Sequence, residues 1–184
     1  DFTPLRNYNK DILEKPGYIF PVKDAKMFIE NDEFDNQGSM YYVAKNPPLG
    51  ATITYYVDTV PKTDKDLRKD EEKKLFEKGE FIPQPTPREL SLEEREFKPY
   101  LIFTITDGDG NIIRKLYKTA AKGVNRVTWN FTYAGYQPVT VDKFTPVSEG
   151  TGRGRWGGGV ISVMPGKYFV SMAMYAKGEV KELA

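Results

Sequence analysis

The sequence predicts a mainly β protein, an antiparallel β-sandwich that carries a charged helical segment. Three observations predict it. Runs of β-branched and aromatic residues stand at 51–58, 100–106, 112–118 and 124–131, and 51–58 and 124–131 alternate between two faces. Clusters of Pro, Gly, Asp and Asn punctuate those runs. Between the first two runs, residues 62–98 are dense in charge and bracketed by helix start and stop signals.

Residues 1–50 are rich in Pro and aromatics and show no sustained period. They are expected to form a linker or strand segment that follows an upstream domain. Within them, 18–22 and 41–43 are candidate short strands, and the acidic stretch 31–38 reads as an exposed loop. Asn46-Pro47-Pro48-Leu49-Gly50 is a turn, because Pro donates no ladder hydrogen bond and Gly accepts positive φ. The sandwich itself is expected over 51–184. In its first strand Ile53, Tyr55 and Val57 share one face, and Thr52, Thr54 and Tyr56 the other, until Pro61 stops it.

The helical segment has two start signals. Thr63-Asp64-Lys65-Asp66 has the spacing of a capping box, and Thr86-Pro87-Arg88-Glu89 adds Pro at the first helical position. Gly79 is the stop between them. Asp64 with Arg68, and Asp70 with Lys74, stand acid before base at i,i+4. Leu67, Leu75 and Phe76 provide only a thin apolar stripe, so the segment is expected to lie on a surface.

Strands then resume. Residues 100–106 and 112–118 flank Asp107-Gly108-Asp109-Gly110-Asn111, and Asp-Gly pairs between β-rich runs signal a hairpin. Val127, Trp129 and Phe131 share a face that belongs in the core. Residues 133–159 form a long loop ending in a Gly-rich run. A last pair of strands is expected at 160–163 and 167–175, separated by Met164-Pro165-Gly166.

Composition narrows the function. Hydrophobic residues are 39% of the chain, enough for a core, and no apolar run approaches the ~20 residues of a spanning helix. The chain starts at Asp1 without Met or a signal sequence, as expected of a piece of a longer polypeptide. With 27 Lys and Arg against 26 Asp and Glu, the net charge of +1 gives no basic surplus to neutralise phosphates, which argues against nucleic acid. There is no Cys and no His. Disulfides, thiolate nucleophiles, zinc-thiolate sites and His-based triads are therefore excluded within the chain.

Several side-chain groups invite a functional reading. Asp107, Asp109 and Asn111 match positions one, three and five of a calcium loop, but Ile112 and Lys118 replace the Gly and Glu that such a loop requires. The turn reading is favoured, and no metal or cofactor is expected. The run from Gly150 to Gly159 lacks the Gly-Lys-Ser/Thr of a phosphate loop. Glu89, Glu93, Glu94 and Glu96 could pair as glycosidase acid and base, against the commoner reading of a solvated charged face. Asn130-Phe131-Thr132 is a glycosylation sequon by spelling. The best binding candidates are Tyr136, Arg153, Arg155 and Trp156, whose rings and guanidinium groups suit a sugar. They could equally pin the loop to the sandwich or to another domain.

The order of these motifs carries a resemblance. A strand enters Asp107-Gly108-Asp109-Gly110-Asn111 and then Ile112-Ile113-Arg114; Gly123, Trp129-Asn130 and Pro165-Gly166-Lys167-Tyr168 follow. This resembles the immunoglobulin-like module of the flagellar hook-capping protein and of many secreted bacterial proteins. Its pattern runs roughly D-x-x-G-x-x-V-R, then G and W-D, then P-G-x-Y; Asn130 stands where the family commonly has Asp. With Thr3-Pro4-Leu5-Arg6, Asn46-Pro47-Pro48-Leu49-Gly50-Ala51 and the charged segment, the wider chain is similar to the region after the β-propeller of sortilin-like bacterial proteins. Those proteins are often labelled glycosyl hydrolases for their neuraminidase (Asp-box) repeats, and no such repeat occurs here.

The resemblance implies a non-catalytic accessory module of a larger secreted bacterial protein, periplasmic or extracellular. It would pack on or extend from an upstream β-propeller in the same polypeptide. The alternative is a carbohydrate-binding accessory domain that uses the 133–159 loop, with a glycan as partner.

Overall fold

In a computed structural model, residues 3–28, 48–134 and 161–184 are described. They build two antiparallel sheets. The first takes β1 (Gly17–Ile19), β2 (Ala51–Val57) and β5 (Gly123–Trp129) in the order β1-β2-β5. The second takes β3 (Tyr100–Thr106), β4 (Ile112–Thr119), β6 (Phe169–Ala176) and β7 (Glu179–Glu182) in the order β4-β3-β6-β7. Their inner faces share one core: Ile53, Tyr55 and Val57 from β2 and Trp129 from β5 meet Leu101, Phe103, Ile105 and Met172 of the other sheet. The rings of Tyr55 and Phe103 pass 4.8 Å apart across that interface. Burial there pushes the Tyr55 hydroxyl up to about 12.

β2 is buried on both faces. Its outward Thr54 and Tyr56 lie beneath a cover made by the chain before it, with Ile12 and Phe20 forming a second, smaller cluster with Tyr56. The cover is tied down locally. Asn9 caps the short helix α1 (Lys10–Leu13) by accepting from the Ile12 N–H at 3.1 Å, and Phe20 N–H donates to Thr54 O at 2.9 Å. Part of the N-terminal segment thus serves as edge strand and outer layer of the first sheet.

The turns explain the register. Asp107 N–H donates to Asn111 O and Gly110 N–H to Asp107 O, closing a three-residue loop with Gly110 at φ 85°. The Asp107 carboxylate accepts from the N–H groups of Asp109 and Asn111 and from Asn111 Nδ2. Those bonds hold its pKa below the ordinary range, the Asn111 side chain contributing most. Its acceptors serve the turn. Gly50, at φ 129°, enters β2 against the backbone of Trp129, where an added Cβ would lie 2.1 Å from Trp129 O.

The last strand pair differs from expectation. Residues 161–163 do not partner the strand after them. Ser162 instead bridges Thr132, with Val163 N–H donating to Phe131 O at 2.8 Å and Tyr133 N–H to Ile161 O at 3.0 Å. β6 pairs with β7 through Lys177-Gly178, both at positive φ (51° and 87°), the conformation of a type I′ turn.

Between β2 and β3 lie α2 (Asp64–Lys78) and α3 (Pro87–Arg95). Thr63 caps α2, and Gly79 in the left-handed region ends it, with Gly79 N–H on Phe76 O and Glu80 N–H on Leu75 O. Thr86 and Glu89 form a reciprocal capping box at α3, with Pro87 in its first turn. Neither helix buries a residue.

Candidate functional site

Tyr136, Arg153, Arg155 and Trp156 lie outside the described residues, as do the strand candidate 41–43, the loop 31–38 and the glycine run 150–159. What the fold shows is the frame around 135–160. Phe131 leaves β5 at φ 59°, and the bridge between Thr132 and Ser162 brings the two flanks together. Trp129 fixes this corner: its Nε1–H donates to Thr132 O at 3.0 Å. Its ring makes edge contacts with Phe131 at 5.7 Å and Tyr168 at 5.1 Å. Tyr168 in turn donates its hydroxyl to Met164 O at 2.5 Å. Asn130 Oδ1 accepts from the Thr132 hydroxyl at 2.6 Å and from Arg114 at 3.3 Å, so it ties the corner to β4. A cavity of about 390 Å³ opens here, with Trp129, Phe131 and Tyr168 on its walls and Lys23, Asp24 and Lys167 among its polar lining.

A second feature escaped sequence reasoning. On the face of the second sheet turned from the core, Phe97, Tyr175, Tyr100 and Tyr117 form a row across three strands. Tyr100 and Tyr175, opposite each other in the β3–β6 register, stack at 4.7 Å with 19° between ring planes. Tyr117 and Phe97 meet the two ends of that pair edge-on, at 6.1 and 6.4 Å. Burial, then the neighbouring Tyr175 and Tyr117, push the Tyr100 hydroxyl above its ordinary pKa. Thr104 and Ser171 stand opposite each other further along the same face.

Of the four glutamates read as a solvated face, Glu89 and Glu94 are exposed and Glu96 is half-buried. Glu93 is the correction to the solvated-face reading: its side chain is only 8% exposed. Arg68 reaches across from α2 and grips it with two bonds, Nε to Oε1 at 2.6 Å and NH2 to Oε2 at 2.8 Å. The same guanidinium pairs with Glu72. Asp64, expected to pair with Arg68, pairs with Lys177 at 2.6 Å, and Asp70 takes Lys62 in place of Lys74. A planar guanidinium gains more from a bidentate partner on the facing helix than from one oxygen a turn away. Glu89 accepts from Thr86 N–H, and Glu96 accepts from Asp64 N–H at 2.7 Å.

These partners set the chemistry. The Arg68 fork holds the Glu93 carboxyl below the ordinary range, and the Thr86 backbone does the same for Glu89. A glycosidase general acid needs the opposite shift. In the cleft between the helices, about 500 Å³, Glu89 and Glu93 are therefore both favoured in the ionised form. Among the described residues no group of three or more His, Cys, Asp or Glu is arranged to hold a metal ion, and no helix is long and apolar enough to cross a membrane.

Set against known proteins, the chain matches no protein family, no curated protein and no solved structure.

Proposed function

We propose that the chain is a non-catalytic interaction module: an immunoglobulin-like sandwich with a helical insertion, part of a larger exported bacterial protein. The observation that carries this reading is the strand order. In immunoglobulin lettering, β1-β2-β5 corresponds to A-B-E, and β4-β3-β6-β7 to C′-C-F-G. Tyr168 supports it independently. It stands one residue before the F-position strand and ties its hydroxyl back to Met164 O, as a tyrosine corner does. The core Trp comes from the E-position strand here, so the likeness lies in topology and corner rather than in every core residue. Residues 64–95 then form an insertion between the B and C positions.

A bacterial origin, export and an adjoining β-propeller rest on the sequence resemblance. With Glu89 and Glu93 both tied up in structural bonds and favoured as carboxylates, neither is placed as a general acid, which favours a supporting and presenting role. Deleting these residues from the full-length protein is expected to impair its folding, export or activity. A deletion that leaves all of these intact refutes the proposal. A second reading, glycan binding, gains support from the tyrosine row on the outward sheet face, since rings and hydroxyls together suit a sugar. Saturable binding of the chain to a polysaccharide panel, abolished by Tyr117→Ala or by Trp156→Ala, would favour it and say which of the two places binds.

A further inference from the structure

The two sheets are locked by a shared core, whereas the helical pair has no share in it. Among the described residues none of 64–95 belongs to either hydrophobic cluster, and the well-shielded Glu93 side chain is covered by Arg68 of the facing helix rather than by the sandwich. Within itself, however, the pair is well tied. The start of α2 lies against the end of α3, through Asp64 N–H on Glu96 and the bidentate Arg68–Glu93 bond, and each helix carries its own cap. Its link to the sandwich is of another kind. Asp64 pairs with Lys177 in the β6–β7 turn at 2.6 Å, with side chains 66% and 49% exposed. Beside that pair lies a cleft of about 420 Å³ whose lining includes Leu92, Arg95, Phe97 and Tyr175. Where the arm meets the sandwich, packing is incomplete and the contact is ionic.

We propose that residues 64–95 form a hinged arm, latched by the Asp64–Lys177 ion pair, that swings off the Phe97–Tyr175 end of the tyrosine row when the latch is released. The connectors 58–63 and 96–99 are the hinges. Exposure decides which ion pair yields first. Two exposed charges are screened strongly by salt, and such pairs contribute little to begin with. The Arg68–Glu93 pair, with side chains 26% and 8% exposed, is shielded from solvent and held at two points, so salt weakens it less. Lys62–Asp70, which braces the first connector against α2, is exposed like the latch and yields with it. There is accordingly a salt range in which the arm is released and still helical.

The chain has no Cys, so two introduced thiols label cleanly. Spin labels at Glu77→Cys, near the far end of α2, and Lys115→Cys, on β4, report the arm's position by electron–electron distance. At low salt one distance is expected. In about 1 M NaCl, where the Debye length is about 3 Å, or in Lys177→Asn, a second and shifted population is expected. Asn tolerates the positive φ of that turn position, so the variant removes the charge without straining the hairpin. Lys177→Arg should restore the single distance at low salt. Amide exchange over 64–95 is measured on the same samples and should stay protected. A distance distribution unmoved by both salt and Lys177→Asn overturns the hinge. A shift accompanied by lost helix protection also overturns it, because the arm would then be melting rather than swinging.

Discussion

Trp129→Ala tests the core assignment most directly. Trp129 is 3% exposed and sits where β5 meets the corner that leads to Tyr168 and Phe131. Truncating a fully buried Trp to Ala costs about 3–5 kcal/mol, from lost transfer free energy plus the cavity left behind. Two local features place this site in the upper part of that range. Each edge-to-face ring contact adds about 0.5–1.5 kcal/mol beyond burial, and the indole bond to Thr132 O disappears with the ring. That carbonyl keeps Arg114 NH1 at 3.5 Å, which limits the penalty for an unpaired acceptor. At an m-value of about 2 kcal/mol/M in urea, a loss of about 4 kcal/mol moves the unfolding midpoint down by about 2 M. Equilibrium urea unfolding followed by far-UV circular dichroism measures it, with Trp129→Phe as the variant that refills much of the space. An unchanged midpoint in Trp129→Ala would refute the assignment, since no relaxation of the corner recovers so large a buried surface.

Two further expectations concern backbone and charge. Gly50→Ala should destabilise the chain by at least about 1–3 kcal/mol from backbone strain alone, before its clash with Trp129 O is counted; an unaltered melting temperature would contradict the φ of 129° given to that residue. Acidification should loosen the helical arm while the sandwich persists. The carboxyls of Glu93, Glu89 and Asp70 are depressed in the fold by Arg68, Thr86 and Lys62 respectively, so the stability they lend is complete above ordinary carboxylate pKa values and is lost as pH falls through the depressed ones. Amide exchange recorded against pH should show 64–95 losing protection before β3 and β6, and simultaneous loss would argue that the arm is not separately held.

Features fixed by neighbours in the chain were readable in advance. The Thr63 and Thr86 caps, the Gly79 stop and the Asp107–Asn111 turn depend on side chains within a few residues of the backbone they satisfy. Trp129 was readable because strand alternation points it inward whatever lies opposite. Features that depend on partners distant in sequence were not. The second buried face of β2 exists because residues 5–20, which have no period of their own, fold back over it. The Glu93 side chain is shielded by an arginine 25 positions away. β7 was missed because its turn places Lys, rather than Asn or Asp, in the left-handed region beside Gly178. The tyrosine row could not be assembled without the β3–β4 and β3–β6 registers, which bring together residues 100, 117 and 175.

The bridge between Thr132 and Ser162 has a practical consequence. It joins the two flanks with hydrogen bonds of their own, so the frame itself holds the ends of the intervening chain side by side. Closing a flexible segment costs only about 0.6 kcal/mol more each time its length doubles. With the ends fixed in this way, a change in the length of chain between them carries only a small closure cost for the frame. The corner built on Trp129 and Tyr168 is a clasp: it sets where the two ends stand before anything between them is considered.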